Sequence, residues 1–252
     1  MTCKGELRSP YGKIFKKEYS RDCMFNKKEA ISILLASLVL GYVIAFKALT
    51  WLGWLSMAGL ALIILLVHQF GQKLTALFYD CSTESNLWTV RQFSFGKSNH
   101  FKFDFPIWVA FPVFLAIFTL GAVKWLAVTT FEAVPLPARI HRKYAELTDW
   151  DLALIAVGGL FFNALLAVIA QFAGWNAFAL LNVYFIIFNL IPFSTLDGGK
   201  IFFGSVMLWV FCAVFAGMML LLIENISILA TLGAAAIVAI AAVVIFYVSM
   251  NN

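Results

Sequence analysis

Residues 53–79 form an almost unbroken apolar run, interrupted near the middle by His68-Gln69-Phe70-Gly71-Gln72-Lys73. At 1.5 Å per residue a helix of this length reaches about 40 Å, more than the roughly 30 Å hydrocarbon core of a bilayer. An imidazole, two carboxamides and an ammonium inside such a helix are costly to leave in lipid, so the run demands both an apolar surrounding and polar partners from elsewhere in the chain. Residues i and i+4 share a helical face, which points His68 and Gln72 the same way.

Composition agrees with a lipid setting. Of 252 residues 63% are hydrophobic and 12% charged, with a mean hydropathy of +0.92, against about half and a quarter in a soluble domain. The expected fold is an all-α polytopic membrane protein of six to seven transmembrane helices with a small β-hairpin after the second. Candidate helices cover 30–49, 53–79, 152–172, 178–191, 201–223 and 226–248, and the short turn at 50–53 makes the first two antiparallel. Residues 106–128 are apolar and long enough to span, but Pro106 and Pro112 interrupt their first half, leaving a further helix or a re-entrant hairpin. Thr148 and Asp149 are placed to cap the helix from 152.

Between the second helix and Pro106 the period changes to two. Residues 87–105 alternate and then turn Phe-rich on either side of Gly96-Lys97-Ser98-Asn99, the pattern of a hairpin. A plain connector is the simpler role for it; strand addition of an extended peptide is the alternative. Residues 129–150, with Pro135, Pro137 and the cluster Arg139-Ile140-His141-Arg142-Lys143, read as a surface loop with a short amphipathic helix.

The net charge of +5 is concentrated at the start: residues 1–28 hold eight Lys and Arg against three acids, and the remainder is balanced. The positive-inside rule puts this basic tail in the cytosol, and no signal-type apolar segment precedes it. Residues 29–252 then form one membrane domain. Contact with anionic lipid accounts for the basic tail, and no nucleic-acid motif accompanies it. Cys3, Cys23, Cys81 and Cys212 contain no C-x-x-C pair, and disulfides are not expected. Lys73 and Lys200 are expected to snorkel towards headgroups, His100 and His141 to be solvated, and Glu224 to be interfacial.

Three polar islands fall inside apolar helices: His68 to Lys73; Asn163, which follows Gly158-Gly159; and Asn189-Leu190-Ile191-Pro192-Phe193-Ser194-Thr195-Leu196-Asp197-Gly198-Gly199. Singly, each is explained by helix–helix hydrogen bonding or close approach. In this order they resemble the site-2 protease family of intramembrane zinc metalloproteases. There a helical H-E-x-x-H is followed by a motif near G-P-x-x-N and then by N-x-x-P-x-x-x-L-D-G. Asn189, Pro192, Leu196, Asp197 and Gly198 match the last pattern, and the resemblance covers about 53–203.

The resemblance implies that His68 and Asp197 are zinc ligands, that Gln72 stands at the second His ligand and that Gln69 stands at the general base. It implies further that Asn163 and Asn189 line the site or hold substrate backbone, that Pro192 frees carbonyls to face a cavity, and that Gly198 lets the chain turn sharply. It also requires the helices at 53–79 and 178–191 to run in the same direction, which favours the re-entrant reading of 106–128.

A carboxamide cannot take a proton at useful pH and is a poor zinc ligand beside imidazole. Zinc binding is therefore expected to be weak or absent, and proteolysis of membrane-protein substrates crippled. Either the chain is a pseudoprotease or it is an altered form of an active enzyme with His-Glu-Phe-Gly-His. The expected partners are a substrate transmembrane segment and the lipid bilayer. Non-catalytic binding of transmembrane clients is the alternative function, and a small transporter a weaker one.

Overall fold

The computed structural model describes residues 3–8, 14–19, 26–48, 50–92, 100–136, 147–193, 195–223 and 228–251. Within the basic tail, β1 (Cys3–Arg8) and β2 (Ile14–Tyr19) pair antiparallel. Helix α1 (Lys27–Ala45) follows, and α2 (Trp51–Phe78) returns beside it after a turn capped by Thr50, whose Oγ1 accepts from the Gly53 N–H at 3.1 Å. Gly41 admits this close packing, since a Cβ there would lie 2.6 Å from the Ala58 backbone.

Asp80, at φ 52°, reverses the chain from α2 into β3 (Cys81–Leu87). β3 pairs antiparallel with β6 (Thr129–Pro135), Cys81 opposite Pro135 and Leu87 opposite Thr129. The start of 129–150 is therefore a strand and not the expected loop; the Arg139–Lys143 cluster, with His141, lies outside the described residues. The expected hairpin is present in shortened form as β4 (Val90–Gln92) and β5 (His100–Phe105), because Leu87 belongs to the other sheet. Its turn, 96–99, lies outside the described residues.

Residues 106–128 do not form one long helix but fold back on themselves. Helix α3 (Ile107–Phe118) contains Pro112 and reaches only about 18 Å. Leu120 and Gly121, both at positive φ, turn the chain back, and Trp125 to Val128 return buried. Both ends meet at one residue: the Trp88 N–H donates to the Val128 carbonyl at 3.0 Å, and the Trp88 carbonyl accepts from the Trp108 N–H at 2.9 Å.

Of the two expected caps, Thr148 caps α4 (Asp149–Phe172) and Asp149 is already its first residue: Thr148 Oγ1 accepts from the Asp151 N–H and the Asp151 carboxylate accepts from the Thr148 N–H. α5 (Asn176–Asn189), α6 (Asp197–Gly204), α7 (Val206–Leu222) and α8 (Ile228–Asn251) complete the chain. The single helix expected over 201–223 is two, broken at Ser205, whose extended backbone ends α6 and whose hydroxyl caps α7. Glu224 lies outside the described residues.

The described structure is mostly helical. Four helices, Lys27–Ala45, Trp51–Phe78, Asp149–Phe172 and Ala230–Val248, are long and apolar enough to cross a membrane, and three shorter apolar helices accompany them. One apolar cluster joins Ala61, Ile64 and Leu65 of α2 to Phe178, Ala179 and Val183 of α5; the next joins Ala76 to Ile186 and Leu190. Gly71 lies against Phe162 and Thr75 against Gly158, so α4 runs antiparallel to α2; the chain reverses again at Gly174, and α5 runs in the direction of α2, as the resemblance requires.

Candidate metal centre

Two adjacent faces of α2 carry the polar island. His68 and Gln72, one turn apart, meet Asp197 at the start of α6, with all three side chains buried. His68 Nε2 lies 2.8 Å from Asp197 Oδ2, and Gln72 Nε2 lies 3.0 Å from each of these atoms. The three edges cannot all be hydrogen bonds at once. With its proton on Nε2, His68 donates to Asp197; with the proton on Nδ1, it accepts from Gln72. Three polar atoms from positions 68, 72 and 197 thus converge on one point, with the His68 ring against the Phe185 ring at 5.1 Å.

A tetrahedral zinc with bonds of about 2.0–2.1 Å sets its donors roughly 3.3 Å apart, close to the spacing of this triangle. The donor set does not fit. Imidazole nitrogen and carboxylate oxygen are zinc ligands, but the third corner is an amide nitrogen whose lone pair is delocalised, while Gln72 Oε1 is buried without a partner. Among the described residues no three of His, Cys, Asp and Glu come together.

Glycines let the neighbouring helices reach this point. A Cβ on Gly159 would lie 2.7 Å from His68 Cε1 and from Gln72 Cγ, and one on Gly158 would strike Thr75. Gly198 has a different role from the sharp turn expected of it. It lies within the first turn of α6 and is absent from the positive-φ glycines; a Cβ there would lie 2.2 Å from the Leu190 carbonyl oxygen. α6 therefore packs directly on the end of α5. Pro192 is exposed two residues beyond the α5 cap, and one carbonyl there, Leu190, is taken by Trp209 Nε1 at 2.8 Å instead of facing a cavity.

Three buried asparagines share helix faces with residues that approach His68, Gly159 on α4 and Phe185 on α5. Asn163 is fully buried one turn beyond Gly159 on the same face of α4, and neither its Oδ1 nor its Nδ2 has a partner. Asn189 donates to the Phe185 carbonyl at 2.9 Å and leaves Oδ1 unpartnered. Asn182, which the sequence reading passed over, does the same with Phe178. Its seven-residue spacing from Asn189, with Phe185 between them, was the available signal: these positions share the face that meets His68.

The second face of α2 meets β3. Ser85 Oγ donates to Gln69 Oε1, and Lys73 Nζ donates to the Thr83 carbonyl at 2.7 Å and to Glu29 Oε1 at 2.8 Å. Lys73 is thus buried and paired with a carboxylate from α1, where snorkelling was expected. Glu29 Oε1 also accepts from the Ser85 N–H at 2.8 Å, and its other oxygen accepts from the Asn26 N–H. Lys200, likewise expected at headgroups, is half-buried and bonds the Phe131 carbonyl and Thr130 Oγ1, tying α6 to β6. Burial lowers its pKa to about 8, against the opposing pull of Asp197 and Glu132.

Comparison with protein-family models, with curated proteins and with solved structures gives no match.

Proposed function

We propose that this chain is an intramembrane metalloprotease of the site-2 protease type, crippled at two positions, with its basic N terminus in the cytosol. One observation carries the reading: side chains 125 and 129 residues apart in sequence, Gln72 and His68 with Asp197, meet within 3.0 Å in a buried site. That spacing resembles the three-ligand arrangement of a hydrolytic zinc site, with a carboxamide at one corner. Zinc held by two imidazoles and a carboxylate activates water as a nucleophile near neutral pH.

The residues present account for the expected loss. Gln72 supplies no usable third ligand, and Gln69 accepts a hydrogen bond but not a proton. General base catalysis typically contributes about 10²- to 10⁴-fold, so a metal alone would not restore the rate. The natural substrate class is a peptide bond in or beside a transmembrane segment, reached from the bilayer.

The orphaned amide atoms of Asn163, Asn182 and Asn189 favour a second reading, a non-catalytic chain that holds the backbone of transmembrane clients. Zinc per chain, measured on detergent-purified protein for this sequence beside the Gln69→Glu, Gln72→His double variant, separates the two. About one zinc with cleavage in the double variant, and little in the present chain, is the expected result. Absence of zinc from both would sink the protease reading and leave the client-binding one.

A further inference from the structure

The contact between Ser85 and position 69 has a support that a chance polar contact lacks. α2 and β3 run antiparallel, and two rungs join them, Gln69 to the Ser85 hydroxyl and Lys73 to the Thr83 carbonyl. Four helical residues advance about 6 Å and two strand residues about 6.7 Å, so the rungs stay in step. The second rung is fixed by charge. Glu29 receives the Lys73 ammonium and the Ser85 N–H on one oxygen, both at 2.8 Å, which binds α1, α2 and β3 together one helical turn from Gln69.

We infer that Ser85, held in place by the buried Glu29–Lys73 pair, is a positioning residue for the side chain at 69. The inference rests on the protease reading, in which that side chain is the proton acceptor. Carboxamide and carboxylate have the same shape, so with Glu at 69 the Ser85 hydroxyl donates to one carboxylate oxygen. That bond is charge-assisted, orients the carboxylate plane, and leaves the second oxygen free to accept a proton. Without the hydroxyl, the carboxylate turns about its last torsion, which is broad for this type of bond.

The contact itself is testable in the chain as it stands. Thermal unfolding is compared for Ser85→Ala, Gln69→Met and the pair; non-additive shifts in Tm are expected, and additive shifts overturn the inference. The role is tested in the Gln69→Glu, Gln72→His background. There Ser85→Ala is expected to lower kcat about 10- to 100-fold, part of the general base contribution, with KM and zinc content unchanged, and Ser85→Thr to keep most of the rate. An unchanged kcat in Ser85→Ala, or an equal loss in Ser85→Thr, overturns the positioning role. A double variant that neither binds zinc nor cleaves shows, before Ser85 is changed, that the protease reading itself has failed.

Discussion

The two faces of α2 hold buried polar groups in opposite conditions. On the 69/73 face, the Gln69 oxygen, the Lys73 ammonium and both Glu29 oxygens have partners, and Thr83 Oγ1 on the facing strand is the brace's exception. On the 68/72 face and the asparagines around it, His68 Nδ1, Gln72 Oε1, Asp197 Oδ1 and both polar atoms of Asn163 have none in the described structure. Buried polar groups are satisfied almost everywhere in proteins, so unsatisfied ones gathered at one place set this face apart from the other. The difference separates a brace from the centre on which the proposed function rests.

The largest expected effect tests the brace. Glu29→Met removes the carboxylate that neutralises the buried Lys73 ammonium, and should destabilise the protein by about 3–5 kcal/mol, read as a lowered Tm in detergent. Adding Lys73→Leu should recover most of the loss, because the second change removes the buried charge. A double variant no more stable than the single one would show that the hydrogen bonds to Ser85 and Asn26, and not the charge pair, hold this region.

The close approach of α4 to the centre comes next. Gly159→Ala puts a methyl against the His68 ring and should cost about 1–3 kcal/mol by overpacking. In the Gln69→Glu, Gln72→His background it should also lower zinc content. A neutral effect on both would mean that α2 and α4 separate easily, and the centre would lose its claim to a fixed geometry.

The smallest effect has the opposite sign. Asn163→Leu replaces two buried, unpartnered polar atoms with hydrocarbon of similar size and should raise stability by about 1 kcal/mol. Under the proposed function, cleavage by the Gln69→Glu, Gln72→His variant should fall at the same time. A loss of stability would instead reveal a partner for Asn163 and erase the contrast between the two faces.

The triangle was expected only through the family resemblance. Local spacing gives its two halves, His68 with Gln72 one turn apart and Asp197 after Asn189 and Pro192, but nothing local joins halves 125 residues apart in sequence. The brace was not expected. Glu29 follows Lys27 and Lys28, so it reads as the edge of a solvated charge run, and its partner lies 44 residues away. β3 escaped for a related reason. Its buried face is Cys81, Thr83 and Ser85, small and mostly polar, so hydrophobic alternation gives no signal. Its pairing with β6 depends on the return of the intervening α3 segment. Ser205 likewise looked like one polar residue in an apolar helix, whereas the backbone uses it to end α6 and cap α7.

The Glu29–Lys73 pair also bears on the order in which the chain can be made. At 5–20 residues per second, the 129 residues between His68 and Asp197 take about 6–26 s to synthesise, during which His68 and Gln72 have no carboxylate to meet. Lys73, the ammonium of the island, does not share that wait. Glu29 leaves the ribosome before it, on the preceding helix, so α1 and α2 can enter their apolar surroundings as a hairpin with Glu29 and Lys73 already paired. The chain thereby leaves only His68 and Gln72 waiting until the last element of the centre arrives.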